Sequence, residues 1–171
     1  MMKLFSTTMP RPPMSMSTVL NPDAFLGSPR IWTPERNLAA WEEIYRLLEA
    51  NFHQFGQAAT LYIVCGIQGA GKSTWIGNNP DFFTEPAFVI DAALPAARHR
   101  ARAMAFAAAH QLRAEAVWMD TPLEVALTRN AGRVEDERVS EAAIANVHTI
   151  FEEPSTEEGF AVVHRLTSHA H

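Results

Sequence analysis

Gly66-Ile-Gln-Gly-Ala-Gly-Lys-Ser73 constrains this chain more than any other stretch. It follows directly on Thr60-Leu-Tyr-Ile-Val-Cys65, a continuous apolar run of strand length, rich in β-formers, and it precedes Thr74-Trp75-Ile76. Glycine and lysine fall at every fixed position of the pattern G-x-x-x-x-G-K-[S/T]. Glycines let the backbone turn tightly and aim several N–H groups inward, and a following helix adds its positive end, so an anion such as phosphate is favoured there. Lys72 is one of only two lysines in the chain, the other being Lys3. Its ammonium is expected to reach the β- and γ-phosphates, and the Ser73 hydroxyl to complete the coordination of Mg²⁺. The expected cofactors are therefore ATP and Mg²⁺, held by Gly66, Gln68, Gly69, Ala70, Gly71, Lys72, Ser73 and Thr74.

The remaining pattern alternates strands with helices. Ala87-Phe-Val-Ile-Asp91, Ala114-Glu-Ala-Val-Trp-Met-Asp120 and Phe160-Ala-Val-Val-His-Arg-Leu166 read as further strands. Helical patterns lie between them over about Pro95 to Leu112, Pro122 to Ala131, and Ser140 to Phe151. Thr121 and Glu124 have capping-box spacing around Pro122. Ahead of the loop, Thr33 as N-cap and Pro34 at the first helical position open a segment whose Leu38, Trp41, Ile44, Tyr45, Leu48 and Phe52 form one apolar stripe. The expectation is an α/β, three-layer P-loop NTPase fold, its small, mostly parallel sheet of about four to five strands preceded by an N-terminal helix. Residues 1–30 carry no period and are broken by Pro10, Pro12 and Pro13, so they read as a flexible tail, with 31–171 a single domain.

Composition removes other classes. No apolar run reaches the length of a membrane-spanning helix and no repeat appears. With 14 basic against 19 acidic residues, the net charge of −5 argues against a protein that coats nucleic acid through a broad positive field. The lone Cys65 forms no internal disulfide, which together with the absence of a signal-peptide core suggests a cytoplasmic protein. Charge is uneven: Ala92 to Ala114 has no acid but holds Arg98, Arg100, Arg102 and Arg113, whereas Glu135 to Glu158 is strongly acidic.

Asp91 ends a strand of a parallel sheet, which places its carboxylate at the edge that carries the phosphate loop. There it is expected to hold Mg²⁺ or to take the proton of an acceptor hydroxyl, with capping of the next loop as the plainer role. Arg129 and Arg133, four apart, would project from one helix face toward the same edge and clamp phosphates, unless they merely suit the helix dipole. Arg98 and Arg102 fit an anionic acceptor as readily as a solvated basic face. His99, His110, His148 and His164 lack ligand spacing, and Trp41, Trp75 and Trp118 suit core positions.

Taken together, Gly66 to Trp75, Val89-Ile-Asp-Ala-Ala-Leu-Pro95, Val117 to Asn130 with Arg133, and Phe151-Glu-Glu-Pro-Ser-Thr-Glu-Glu-Gly-Phe160 resemble the polynucleotide 5′-kinase family of P-loop phosphotransferases, related to AAA-type and zeta-toxin-like ATP-binding proteins. The resemblance spans about Leu61 to Val163 and leaves the chain before Thr60 outside. It implies that Lys72 and Ser73 meet nucleotide and Mg²⁺, that Asp91 is the acid after its strand, and that Arg129 begins and Arg133 completes a phosphate-contacting lid. It also implies transfer of the γ-phosphate of ATP to a polynucleotide 5′-hydroxyl. The chain departs from the family between Trp75 and Pro86, where a further strand and an Asp-x-x-Arg element supplying the general base are missing. Either Asp91 then doubles as base and metal acid, or the base is gone. A small-metabolite kinase and a weakly catalytic ATP-binding module stay open as alternatives.

Overall fold

Thr60–Cys65 is buried on both faces at every residue, as only a central strand of a covered parallel sheet can be. The computed structural model describes residues 16–168. In it this segment, β2, is flanked by β3 (Ala87–Asp91) and β4 (Arg113–Asp120). β1 (Ser17–Leu20) lies outside β3, and β5 (Val162–Thr167) outside β4. The order is β1-β3-β2-β4-β5 and every pair is parallel, so the mostly parallel sheet expected from the strand–helix alternation is wholly parallel. All five strands therefore end on one edge, where Asn21, Gly66, Ala92, Thr121 and Ser168 follow them.

Helices cover both faces, so that two helical layers enclose the sheet. α1 (Pro34–Phe55) begins where the Thr33 hydroxyl accepts the Arg36 N–H, with Pro34 at the first helical position. Its Ile44 and Leu48, one turn apart, pack with Ala103, Met104, Phe106 and Ala107 of α3 (Ala97–Ala109) against Leu61, Ile63, Phe88 and Ile90 of the sheet, and Ala40, a turn earlier, is buried as well. Each such Ile or Leu contributes about 1.5–3 kcal/mol by leaving water. On the other face Ile76 of α2 (Lys72–Asn78), Ala126 of α4 (Leu123–Ala131) and Ile144 of α5 (Glu141–Thr149) pack on Tyr62, Val64, Val89 and Val117. Among the described residues no helix is long and apolar enough to cross a membrane.

Two expectations need correction. The stretch read as a flexible tail is folded from Ser17 onward; the part of it before Met16 lies outside the described residues. The open edge of β3 is the reason: Ser17 to Leu20 pairs with Ala87 to Ile90, and Leu20 enters the core at 3% exposure. Thr121 does not cap α4 either. Pro122 is the N-cap and has no polar side-chain atom with which to cap, while the Thr121 hydroxyl is turned to the Ala70 carbonyl and to Ser168 Oγ.

Candidate functional site

The loop Gly66–Gly71 is pressed against backbone on two sides. A Cβ on Gly66 would come within 2.8 Å of the Met119 carbonyl oxygen, and one on Gly69 within 2.3 Å of the Ala126 carbonyl oxygen. Gly69 also has φ +84°, so both space and backbone conformation demand glycine there. Three side chains brace the loop's carbonyls. Lys72 Nζ donates to Gly66 O (2.9 Å) and Ile67 O (3.1 Å), Arg129 Nη1 donates to Ala70 O (3.1 Å), and Thr121 Oγ1 donates to the same oxygen (3.4 Å).

The electrostatics centre on Lys72. Burial holds its pKa below the usual lysine value, the Asp91 carboxylate opposes that shift, Arg133 adds to it, and Asp23 opposes it more weakly. The Arg133 side chain has no hydrogen bond or ion pair among the described residues, although its carbonyl accepts Arg138 Nε at 2.7 Å. α4 ends at Ala131 with Gly132 as its C-cap, so Arg133 lies just past the helix, not on one continuous helical face with Arg129.

Asp91 is 2% exposed, and its Oδ2 accepts the Ser73 hydroxyl at 2.5 Å and Asn21 Nδ2 at 3.2 Å. Its Oδ1 is buried with no hydrogen-bond partner among the described residues, as is Gln68 Oε1. A buried carboxylate oxygen left unpaired is costly, and a divalent cation is the partner that suits it best. Hydroxyl and carboxylate oxygens are the donors Mg²⁺ selects, so the Ser73–Asp91 pair fits that ion. Among the described residues no cluster of three or more His, Cys, Asp or Glu could hold a metal without further ligands. A cation here would therefore draw the rest of its shell from phosphate and water.

Beside the loop, on the β4 side, a cleft of about 290 Å³ is lined by Ile67, Trp118, Thr121, His148 and Phe151 among others. The Trp118 and Phe151 rings are nearly parallel, 14° apart in plane with centroids at 6.0 Å, and the Arg165 guanidinium lies 4.6 Å over Trp118. Trp118 packs partly buried against the core, as its sequence position suggests, and it also lines this cleft beside the loop, together with His148. A larger cleft of about 360 Å³ lies on the α1–α3 face, away from the loop. Arg102 belongs to that face, bound to Glu42 at 2.6 Å and stacked over Tyr45 at 3.9 Å, so it is not a residue of the loop edge. Arg98 is exposed on the same helix. Lys72, Ser73, Asp91, Arg129 and Arg133 do come together, with Gln68 and Thr74 in and just after the loop. Asn21 joins them unforeseen, since a polar residue after a four-residue edge strand leaves no periodic signal.

The family model described as the AAA domain matches residues 84–154. The matched stretch runs from just before β3 to just past α5, so the loop and β1 lie ahead of it. No curated protein matches the chain. The order of the parallel strands and the glycine-rich loop leading from β2 into α2 define a P-loop NTPase-like α/β domain.

Proposed function

We propose that the domain binds ATP with Mg²⁺ and transfers the γ-phosphate to a hydroxyl, with a polynucleotide 5′-hydroxyl as the leading acceptor. The observation that carries this is the contact of Ser73 Oγ with Asp91 Oδ2, made beside the unpaired, buried Asp91 Oδ1 and within the field of Lys72. That is a cation site built onto a phosphate loop, and Ser73 and Asp91 are the residues that would hold the metal. When bound, Mg²⁺ neutralises charge on the phosphates.

The chain's own groups do the rest. Loop N–H groups and Lys72 hold the phosphate oxygens, with Lys72 exchanging its carbonyl contacts for them. Arg129 keeps the loop shaped through Ala70, and Arg133, free of partners among the described residues, supplies charge to the transferred group. The cleft lined by Trp118, Phe151 and Ile67 offers the nucleobase aromatic and apolar contacts next to the loop. The choice of acceptor rests on the resemblance carried by Arg129-Asn130 with Arg133 and by Glu158-Gly159-Phe160.

The test is transfer of label from γ-labelled ATP with Mg²⁺ to 5′-hydroxyl DNA and RNA oligonucleotides, with water as competing acceptor and Lys72→Ala as control. Label on an oligonucleotide that the control lacks is the expected result. Release of phosphate alone assigns an ATPase, and ATP binding without turnover assigns a binding module.

A further inference from the structure

β1 brings more than an edge to the sheet. Because it runs parallel to β3 with Leu20 opposite Ile90, the residues after it arrive at the carboxyl edge level with Asp91. Asn21 is the first of them, and its amide works in both directions. Nδ2 donates to Asp91 Oδ2 at 3.2 Å, while Oδ1 accepts the backbone N–H of Asp23 at 2.9 Å and so caps the turn Pro22–Phe25. One side chain thus fixes the position of Asp23 relative to Asp91. The turn is anchored behind by buried Pro22 and Leu26, by Arg36 Nη1 on the Leu26 carbonyl at 3.1 Å, and further on by Arg30 facing Glu137 at 3.5 Å.

Phosphoryl transfer to a hydroxyl needs a group that takes the hydroxyl's proton. Three carboxylates stand at or just past the ends of the strands. Asp120 is tied to Arg165 at 2.7 Å, and Asp91 is buried and committed to Ser73 and Asn21. Asp23 alone of the three is exposed, and its carboxylate has no hydrogen bond or ion pair among the described residues. Its place at the edge is set by Asn21, whose amide spans the Asp23 N–H and Asp91 Oδ2, and its charge acts on Lys72 weakly, in the direction of the protonated ammonium.

We propose that Asp23, carried to the loop by the N-terminal edge strand and set by Asn21, is the general base of the reaction; this rests on the phosphotransferase reading above. The acceptor oxygen forms its bond to the γ-phosphorus as the bond from that phosphorus to the bridging oxygen breaks. The leaving oxygen keeps the electron pair on ADP, and the hydroxyl proton passes to the Asp23 carboxylate and on to water. Asp91 is then spared the double duty of base and metal acid.

The test uses the full chain with γ-labelled ATP, Mg²⁺ and a 5′-hydroxyl DNA oligonucleotide, comparing wild type, Asp23→Asn and Asp23→Glu, with ATP affinity read separately from a fluorescent ATP analogue. The expected result is a fall in kcat of about 10²–10⁴-fold in Asp23→Asn at unchanged ATP affinity, with partial recovery in Asp23→Glu. Wild-type kcat in Asp23→Asn overturns the proposal while the phosphotransferase reading stands. Lost ATP affinity at unchanged kcat overturns it too, by making Asp23 a binding group. If the wild type transfers to water alone, the hydroxyl-acceptor reading fails, and the same fall in phosphate release still identifies Asp23 as the base. A wild type that binds ATP and turns over nothing overturns both.

Discussion

Arg100 and Glu158 form a two-pronged ion pair under α3, Nε to Oε2 at 2.8 Å and Nη2 to Oε1 at 2.7 Å, with the Arg100 side chain wholly buried. Arg100 Nη1 donates to the Leu94 carbonyl at 2.8 Å, and Glu158 Oε1 also accepts the Ser155 N–H. The pair therefore ties the loop after β3 to the turn before β5. Truncating one partner strands a buried charge, which costs about 3–5 kcal/mol. Arg100→Met should lower stability by that much in urea unfolding. Pairing it with Glu158→Leu should return part of the loss, because both charges are then gone.

Gly69 gives a second prediction. Its Cβ position is 2.3 Å from the Ala126 carbonyl oxygen, which is backbone of α4 and gives way only if the helix moves. Gly69→Ala should therefore push the loop and α4 apart. The expected outcome is loss of ATP affinity exceeding that of Arg129→Ala, with the far-ultraviolet circular dichroism nearly unchanged, since the core on the α1–α3 face contains neither residue.

Where the chain was legible, one physical signal acted alone. β2 and β3 are apolar at both faces, so length and glycine punctuation suffice to find them, and the loop residues are fixed by an eight-residue pattern. Arg100 was hidden among Arg98 and Arg102: two residues along a helix turn a side chain by about 200°, so one arginine of a basic-looking face points inward. β1 was hidden because four residues of mixed character carry no period, and only the open edge of β3 selects them. Between Trp75 and Pro86 the chain holds only the rest of α2 and a short turn at Pro80–Phe82, with no further strand. That the vacant edge is filled from the other end of the chain is a property of the sheet, not of any window of sequence.

Glu115 predicts a pH effect. Burial works to raise its pKa, but hydrogen bonds from His164 Nε2 (2.8 Å) and Arg113 Nε (2.7 Å) overcome it, leaving the carboxyl below its usual value. A carboxyl depressed on folding adds stability that is present above its unfolded-state pKa and lost as pH falls through the folded value. Glu115→Gln should therefore lower Tm at neutral pH, by an amount corresponding to less than about 1 kcal/mol. The difference from wild type should vanish in acid, which a Tm series from neutral pH downward reads directly.

Cys65 predicts a chemical readout of the site's rigidity. Burial pushes its thiol up to about 12, so at neutral pH it is a protonated, inaccessible group at the end of β2, one residue before the loop. Labelling by a thiol reagent should be far slower than for an unfolded-chain cysteine and should become fast only on opening of the sheet. Removing residues 1–30 strips β1 from β3 and opens the core at Leu20. The shortened chain should label at least tenfold faster at Cys65, corresponding to the loss of about 1.4 kcal/mol or more of protection. Equal labelling rates in the two chains would instead mean that β1 adds no protection to β2, and that residues 17–20 serve only to present Asn21 and Asp23 at the loop.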